Sequence, residues 1–128
     1  MKVSLFAATI VGVAVVGAGL LARPQTAPRV IHITAERFSF MPSEIRVQAG
    51  EEVELRIQSE DTSHGFRLIG TNITAVVPKR GKGEVSVRVR QDQPGRMTFE
   101  CTRVCGAGHN FMRGVLIVTE ASGGGERP

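Results

Sequence analysis

The sequence predicts an all-β sandwich, and three observations carry that expectation. Apolar and polar residues alternate with period two in several short runs, turn-forming residues separate the runs, and no segment after Ala22 repeats at the helical period. Short strands spaced in this way close into an antiparallel sandwich or barrel around one shared core.

The first element stands apart from the sandwich. Val3 to Ala22 carries no charge. About twenty apolar residues at a helical rise of about 1.5 Å each match the hydrocarbon thickness of a bilayer. Residues 1–22 are therefore expected to form one N-terminal hydrophobic helix, a transmembrane anchor or a signal peptide. Ala22 could precede a cleavage point, but Leu20 is large for the −3 position and Pro24 follows closely. Without a polar face, the segment does not read as a buried core helix. Lys2 with the amino terminus on one side, and Arg23 and Arg29 on the other, do not decide its orientation. Both readings carry the remaining chain across the membrane.

Residues 23–29 (RPQTAPR) read as a linker, because their prolines cannot continue a helix. Residues 30–120 form the folded domain, and residues 121–128 a flexible tail. Within the domain, residues 30–34 alternate imperfectly, and residues 44–48 place Ile45 and Val47 on one face. Residues 52–58 turn Val53, Leu55 and Ile57 inward and Glu52, Glu54, Arg56 and Gln58 outward. Residues 84–90 repeat the pattern with Val85, Val87 and Val89. Residues 95–100 lead into the cysteine loop, and residues 114–120 form a nearly continuous apolar run, as expected of a strand covered on both faces. Turn signals fall at Met41-Pro42-Ser43, Ala49-Gly50, Ser59-Glu60-Asp61, Pro78 to Gly83 and Gln93-Pro94-Gly95.

Charge and composition exclude several functions. The net charge is +4, and it falls to +2 once Lys2 and Arg23 are set aside with residues 1–23. That is too mild to argue for nucleic acid or an anionic surface. The chain has no Trp or Tyr on which bases could stack. It also lacks nucleotide-binding and Ser-His-Asp signatures, and no residue looks like a general acid, general base or nucleophile placed for bond-making.

The chemistry is concentrated in residues 101–112, CTRVCGAGHNFM. This loop holds both cysteines, one of three histidines and one of four methionines. An even cysteine count in an exported chain admits a disulfide. The neighbours point instead to a metal: His109 and Met112 follow Cys105, and Gly106 and Gly108 allow a tight loop. His64, in DTSHGF, lies in a connection able to reach the same end of a sandwich. Thiolate and thioether are soft ligands, and imidazole suits copper and zinc. Structural zinc would use Cys101, Cys105, His109 and His64 and leave Met112 without a role. A mononuclear blue-copper site would use His64, Cys105, His109 and Met112 and leave Cys101 spare. Two coppers bridged by two thiolates would use them all.

CTRVCGAGHNFM resembles the C-x-x-x-C-x-x-x-H-x-x-M loop of the binuclear copper A domain of cytochrome c oxidase subunit II, a branch of the cupredoxin superfamily. DTSHGF resembles that family's upstream D-x-x-H-x-F/W element, and residues 40–57 resemble the opening strands of cupredoxins. The resemblance spans nearly all of residues 30–120 and implies a cupredoxin-like Greek-key β-sandwich. It implies two coppers per chain, with Cys101 and Cys105 bridging both. His64 would bind one copper with Met112 as its weak axial ligand, and His109 would bind the other with the backbone oxygen of Arg103. Phe66, Phe99 and Phe111 are candidates for an apolar shell around the centre.

The implied function is one-electron transfer as a component of a terminal oxidase. The donor would be cytochrome c or another small redox protein, and the acceptor oxidase subunit I. Residues 3–22 would hold the chain in the cytoplasmic membrane with the copper domain on the periplasmic side; a cleaved signal would leave it soluble there. The alternatives are a stand-alone copper A-type carrier or copper-delivery protein, and a disulfide-stapled domain without metal.

Three departures from the family pattern bear on partners. The chain has at most one hydrophobic helix where two are usual. Arg103 replaces a common Glu whose side chain serves a magnesium site facing subunit I, and Arg cannot bind that cation. Finally, the family's exposed aromatic, often Trp, and its acidic patch have no equivalent in this mildly basic chain.

Overall fold

The alternating runs pair into two sheets that face each other across one core. A computed structural model describes residues 26–123. The expected helix at residues 1–22, the start of the linker and residues 124–128 of the tail lie outside the described residues. Among the described residues, no helix is long and apolar enough to cross a membrane.

Among the described residues, nine strands follow in chain order. They are β1 (Arg29–Glu36), β2 (Ser39–Met41), β3 (Glu44–Gln48), β4 (Glu52–Ser59), β5 (His64–Leu68), β6 (Thr74–Val77), β7 (Glu84–Arg90), β8 (Gly95–Glu100) and β9 (Arg113–Thr119). One sheet has the order β2-β1-β4-β7, the other β3-β9-β8-β5-β6. A 3₁₀ turn at His109–Phe111 lies between β8 and β9.

The sandwich is mixed rather than wholly antiparallel as the sequence predicts. β1 runs parallel to β4, with Ile33 beside Ile57, and β3 runs parallel to β9, with Ile45 beside Leu116. The cause is that the tight turns after β2 and β3 each carry the chain from one sheet to the other, so β1 meets β4 and β3 meets β9 without being their neighbours in sequence. Period-two patterning reports which face is buried and is silent about the direction of the partner strand.

Alternation turns Ile45 and Val47 of β3 and Val53, Leu55 and Ile57 of β4 inward, as expected. Ile33 and Ala35 of β1, Val53, Leu55 and Ile57 of β4, and Val89 of β7 are buried from one sheet. Ile45 and Val47 of β3, Phe66 and Leu68 of β5, and Leu116 and Val118 of β9 meet them from the other. Each such side chain larger than that of Ala35 contributes about 1.5–3 kcal/mol relative to exposure. Phe40, Phe66 and Phe99 pack together with ring centroids 5.4–6.0 Å apart.

Two burial expectations need correction. β9 is buried on its inner face only; Val115 and Ile117 are half-covered because that sheet's other face is open to solvent. Val85 and Val87 are also half-buried, since β7 is an edge strand.

Candidate metal centre

Sheet register brings the expected ligands to one end of the five-stranded sheet. β5 and β8 pair antiparallel, with Arg67 opposite Glu100. The start of β5 therefore lies beside the chain leaving β8, and His64 comes next to Cys101. β8 and β9 pair as well, with Glu100 opposite Arg113. Residues 101–112 are thus pinned at both ends, and the Cys101 amide donates to the Met112 carbonyl at 3.0 Å.

Close backbone approach needs Gly65. A Cβ there would overlap the Thr102 hydroxyl and come within 2.9 Å of the Arg103 amide nitrogen. With no side chain in the way, the Gly65 amide donates to Cys101 Sγ at 3.4 Å. This gap lets the β5 backbone lie against the cysteine loop.

The donors converge. Cys101 and Cys105 are buried free thiols with their sulfurs 3.9 Å apart, well beyond a disulfide bond of about 2.05 Å. His64 is fully buried, and its Nδ1 lies 3.9 Å from Cys101 Sγ. His109 Nδ1 lies 3.8 Å from Cys105 Sγ, and Met112 Sδ lies 3.8 Å from the same sulfur. The Arg103 side chain is exposed while its carbonyl turns inward and accepts from the Cys101 thiol at 3.2 Å. His64, Cys101 and Cys105 have their ligand atoms within 4.8 Å of one another.

The orientation of His64 has a definite cause. Its Nε2 lies 2.6 Å from Asp61 Oδ1, which leaves Nδ1 to face the thiols. Asp61 is itself held by the amides of Arg37 and Thr62 at 3.0 and 2.7 Å. Burial pushes this carboxyl up, but hydrogen bonds from His64 and the Arg37 and Thr62 amides outweigh it and hold the pKa at about 2. Asp61 is therefore ionised at neutral pH. Burial first, and then the adjacent Cys101, push the Cys105 thiol up to about 11, against a smaller opposing pull from Arg37.

The donor set fits a soft metal. Two thiols lie between two inward-facing imidazole nitrogens, with a thioether and a carbonyl alongside, in a largely buried setting. An uncompensated pair of buried thiolates would be costly, and a bound cation removes that cost.

Of the three aromatic residues expected around the centre, Phe66 and Phe99 are buried, but Phe111 is 82% exposed. The 3₁₀ turn points it outward, because His109 and Met112 on the same short turn face the thiols. Three residues carry structural roles that sequence reasoning did not assign. Asp61 belongs to the quoted DTSH element, and its i, i+3 spacing to His64 was the available signal. Arg37 and Phe38, from the turn between β1 and β2, have no local signal.

Comparison with known proteins finds relatives by sequence and by fold. Residues 6–118 match the model of the cupredoxin-like domain family. Two sequences named cytochrome c oxidase subunit 2, both from Thermus thermophilus, are 39% identical over 100 residues. That stretch is 75% of this chain, and 71% of one relative and 57% of the other. A solved heme-copper terminal oxidase dimer contains a chain of similar fold, with a TM-score of 0.63 and 26% identity. The match covers 71% of this chain and 65% of that one. The periplasmic domain of cytochrome oxidase subunit II from Bradyrhizobium japonicum shares the fold with a TM-score of 0.66 at 15% identity, covering 74% of this chain and 86% of that one.

Proposed function

The chain belongs to the cytochrome c oxidase subunit II family of cupredoxin-like proteins, and from that premise we propose that it carries single electrons through a binuclear copper centre into a terminal oxidase. The observation that carries this reading is the pair of buried free thiols, 3.9 Å apart, with an imidazole Nδ1 facing each sulfur. Cys101 and Cys105 would bridge two coppers. His64 with Met112 would complete one copper, and His109 with the Arg103 carbonyl the other. Two coppers sharing one unpaired electron would take up and release electrons one at a time.

The protein's own part is to hold this donor set still. Asp61 fixes the face that His64 presents. The Gly65 amide points at Cys101 Sγ and stabilises negative charge there. Burial of Cys101, Cys105, Met112 and His64 keeps water from the ligands. A sheet-anchored loop allows little change of shape between oxidation states, which lowers the reorganisation that electron transfer requires.

Residues 1–22 would anchor the chain in the cytoplasmic membrane, residues 23–29 would serve as a linker and residues 121–128 as a tail, with the copper domain of residues 30–120 on the periplasmic side. Oxidase subunit I would accept the electron, and cytochrome c or another small redox protein would donate it. The test is copper per chain together with the EPR spectrum of the full-length, oxidised, copper-loaded protein. Two coppers with hyperfine structure from one electron shared between two nuclei are expected. One copper with a four-line pattern, or no copper and no free thiols, would overturn the reading.

A further inference from the structure

We propose that Arg37 is a positioning residue for the copper loop, fixing Cys105 through its carbonyl and holding the centre's reduction potential up with its charge. This inference rests on the two-copper reading of residues 101–112.

The turn between β1 and β2 lies against the loop. Arg37 Nε donates to the Cys105 carbonyl at 2.5 Å. The Arg37 amide donates to Asp61 Oδ2 at 3.0 Å, and Asp61 in turn holds His64. The Phe38 ring occupies the space that a Cβ on Gly106 or Gly108 would need. One dipeptide thus touches the second thiol's own carbonyl, the carboxylate behind one histidine and the two glycines leading to the other. The glycines are there because an aromatic ring lies on the backbone. Within the loop, backbone bonds tie the ends and the 3₁₀ turn, from Cys101 to Met112 and from Gly106 onward. The contact from Arg37 holds the middle.

A guanidinium stays charged at any working pH. The Arg37 side chain is exposed overall, but its bond to the Cys105 carbonyl is partly buried, and there salt screens the charge less than on open surface. A fixed positive charge beside the centre favours the state with one more electron. Removing it favours the oxidised state and lowers the potential. A lysine would keep the charge but not the planar N–H geometry that reaches the carbonyl.

The experiment compares Arg37→Ala, Arg37→Lys and wild type as full-length, copper-loaded protein. Arg37→Ala is expected to keep two coppers and the shared-electron EPR signal. Its reduced-to-oxidised ratio at fixed ambient potential is expected to fall about tenfold, equivalent to about 59 mV for one electron. Arg37→Lys is expected to recover most of that shift. In copper-free protein, amide exchange at His109, Phe111 and Met112 is expected to speed up about tenfold in Arg37→Ala and in Phe38→Ala. A reduced-to-oxidised ratio within about twofold of wild type, or unchanged amide exchange, would overturn the proposal. A wild-type chain without the two-copper signal would refute the underlying reading instead, and the copper-free exchange measurement would still decide whether the turn holds the loop.

Discussion

The two sheets are built from similar strands and do different work. The β2-β1-β4-β7 sheet buries a regular apolar face and covers its other side with charge: Glu52 pairs with Arg88, and Glu54 with Arg56. It supplies no ligand. The β3-β9-β8-β5-β6 sheet supplies or anchors all six candidate ligands at one end, from His64 on β5 to Met112 just before β9. In the first sheet, alternation accounts for almost every residue. In the second, positions near the site depart from alternation because the site dictates them.

That contrast can be broken at its strongest point by Cys101→Ser or Cys105→Ser. Either is expected to abolish the two-copper centre, since each thiolate would serve both metals, while the scaffold still folds. A full two-copper EPR spectrum in either variant would refute the bridging assignment. The opposite experiment is Leu55→Ala in β4, which empties part of the core. It should cost about 2–5 kcal/mol of unfolding free energy, with copper content and spectrum unchanged below the lowered melting transition. A changed spectrum in the folded variant would mean that the two sheets are not separable in this way.

Smaller effects sharpen the boundary. Asp61→Ala frees His64 Nε2 and should weaken copper affinity about 10–100-fold, measured by competition with a chelator. Unchanged affinity would mean that packing alone orients His64. Met112→Leu keeps the bulk of the side chain and removes the thioether. It should shift the reduction potential and leave copper content intact; loss of most copper would contradict a weak axial role.

The same contrast explains what could be read in the sequence. β3, β4 and β7 have boundaries within one residue of the alternating runs, because burial on one face writes a pattern of its own. β5 escaped notice because it reads HGFRL, buried at four of five positions. His64 faces the thiols and Gly65 admits Thr102, so neither is free to follow a period of two. β2 is only three residues long and β6 only four, too short to establish a period. Five candidate ligand side chains were legible because their chemistry is uncommon and four of them lie within twelve residues, whereas the Arg103 carbonyl came only from the family resemblance. Arg37 and Phe38 were not, because their contacts join segments nearly seventy residues apart, as in the Arg37–Cys105 bond. Phe111 was misjudged because loop composition does not say which way a 3₁₀ turn points.

The smallest predicted effect belongs to the scaffold and lies in the turn between β3 and β4. Arg29 Nε donates to Glu51 Oε1 at 2.8 Å and ties the start of β1 to that turn. The bond to Arg29 holds the Glu51 carboxyl below its ordinary value of 4.5, against opposing burial and with help from the Gln48 amide. A carboxyl with a depressed folded pKa stabilises the fold fully above its unfolded value and loses that contribution as pH falls through the folded one. The Arg29 side chain is 51% exposed, so solvent screening limits the pair to less than about 1 kcal/mol. Glu51→Gln should therefore lower unfolding free energy by that small amount at pH 7. The gap from wild type should close as the pH drops below the ordinary glutamate range, and narrow in high salt. A gap that persists in acid would show that Glu51 acts through packing of the turn rather than charge. In neither case should the copper spectrum move, because this turn connects strand ends away from residues 101–112.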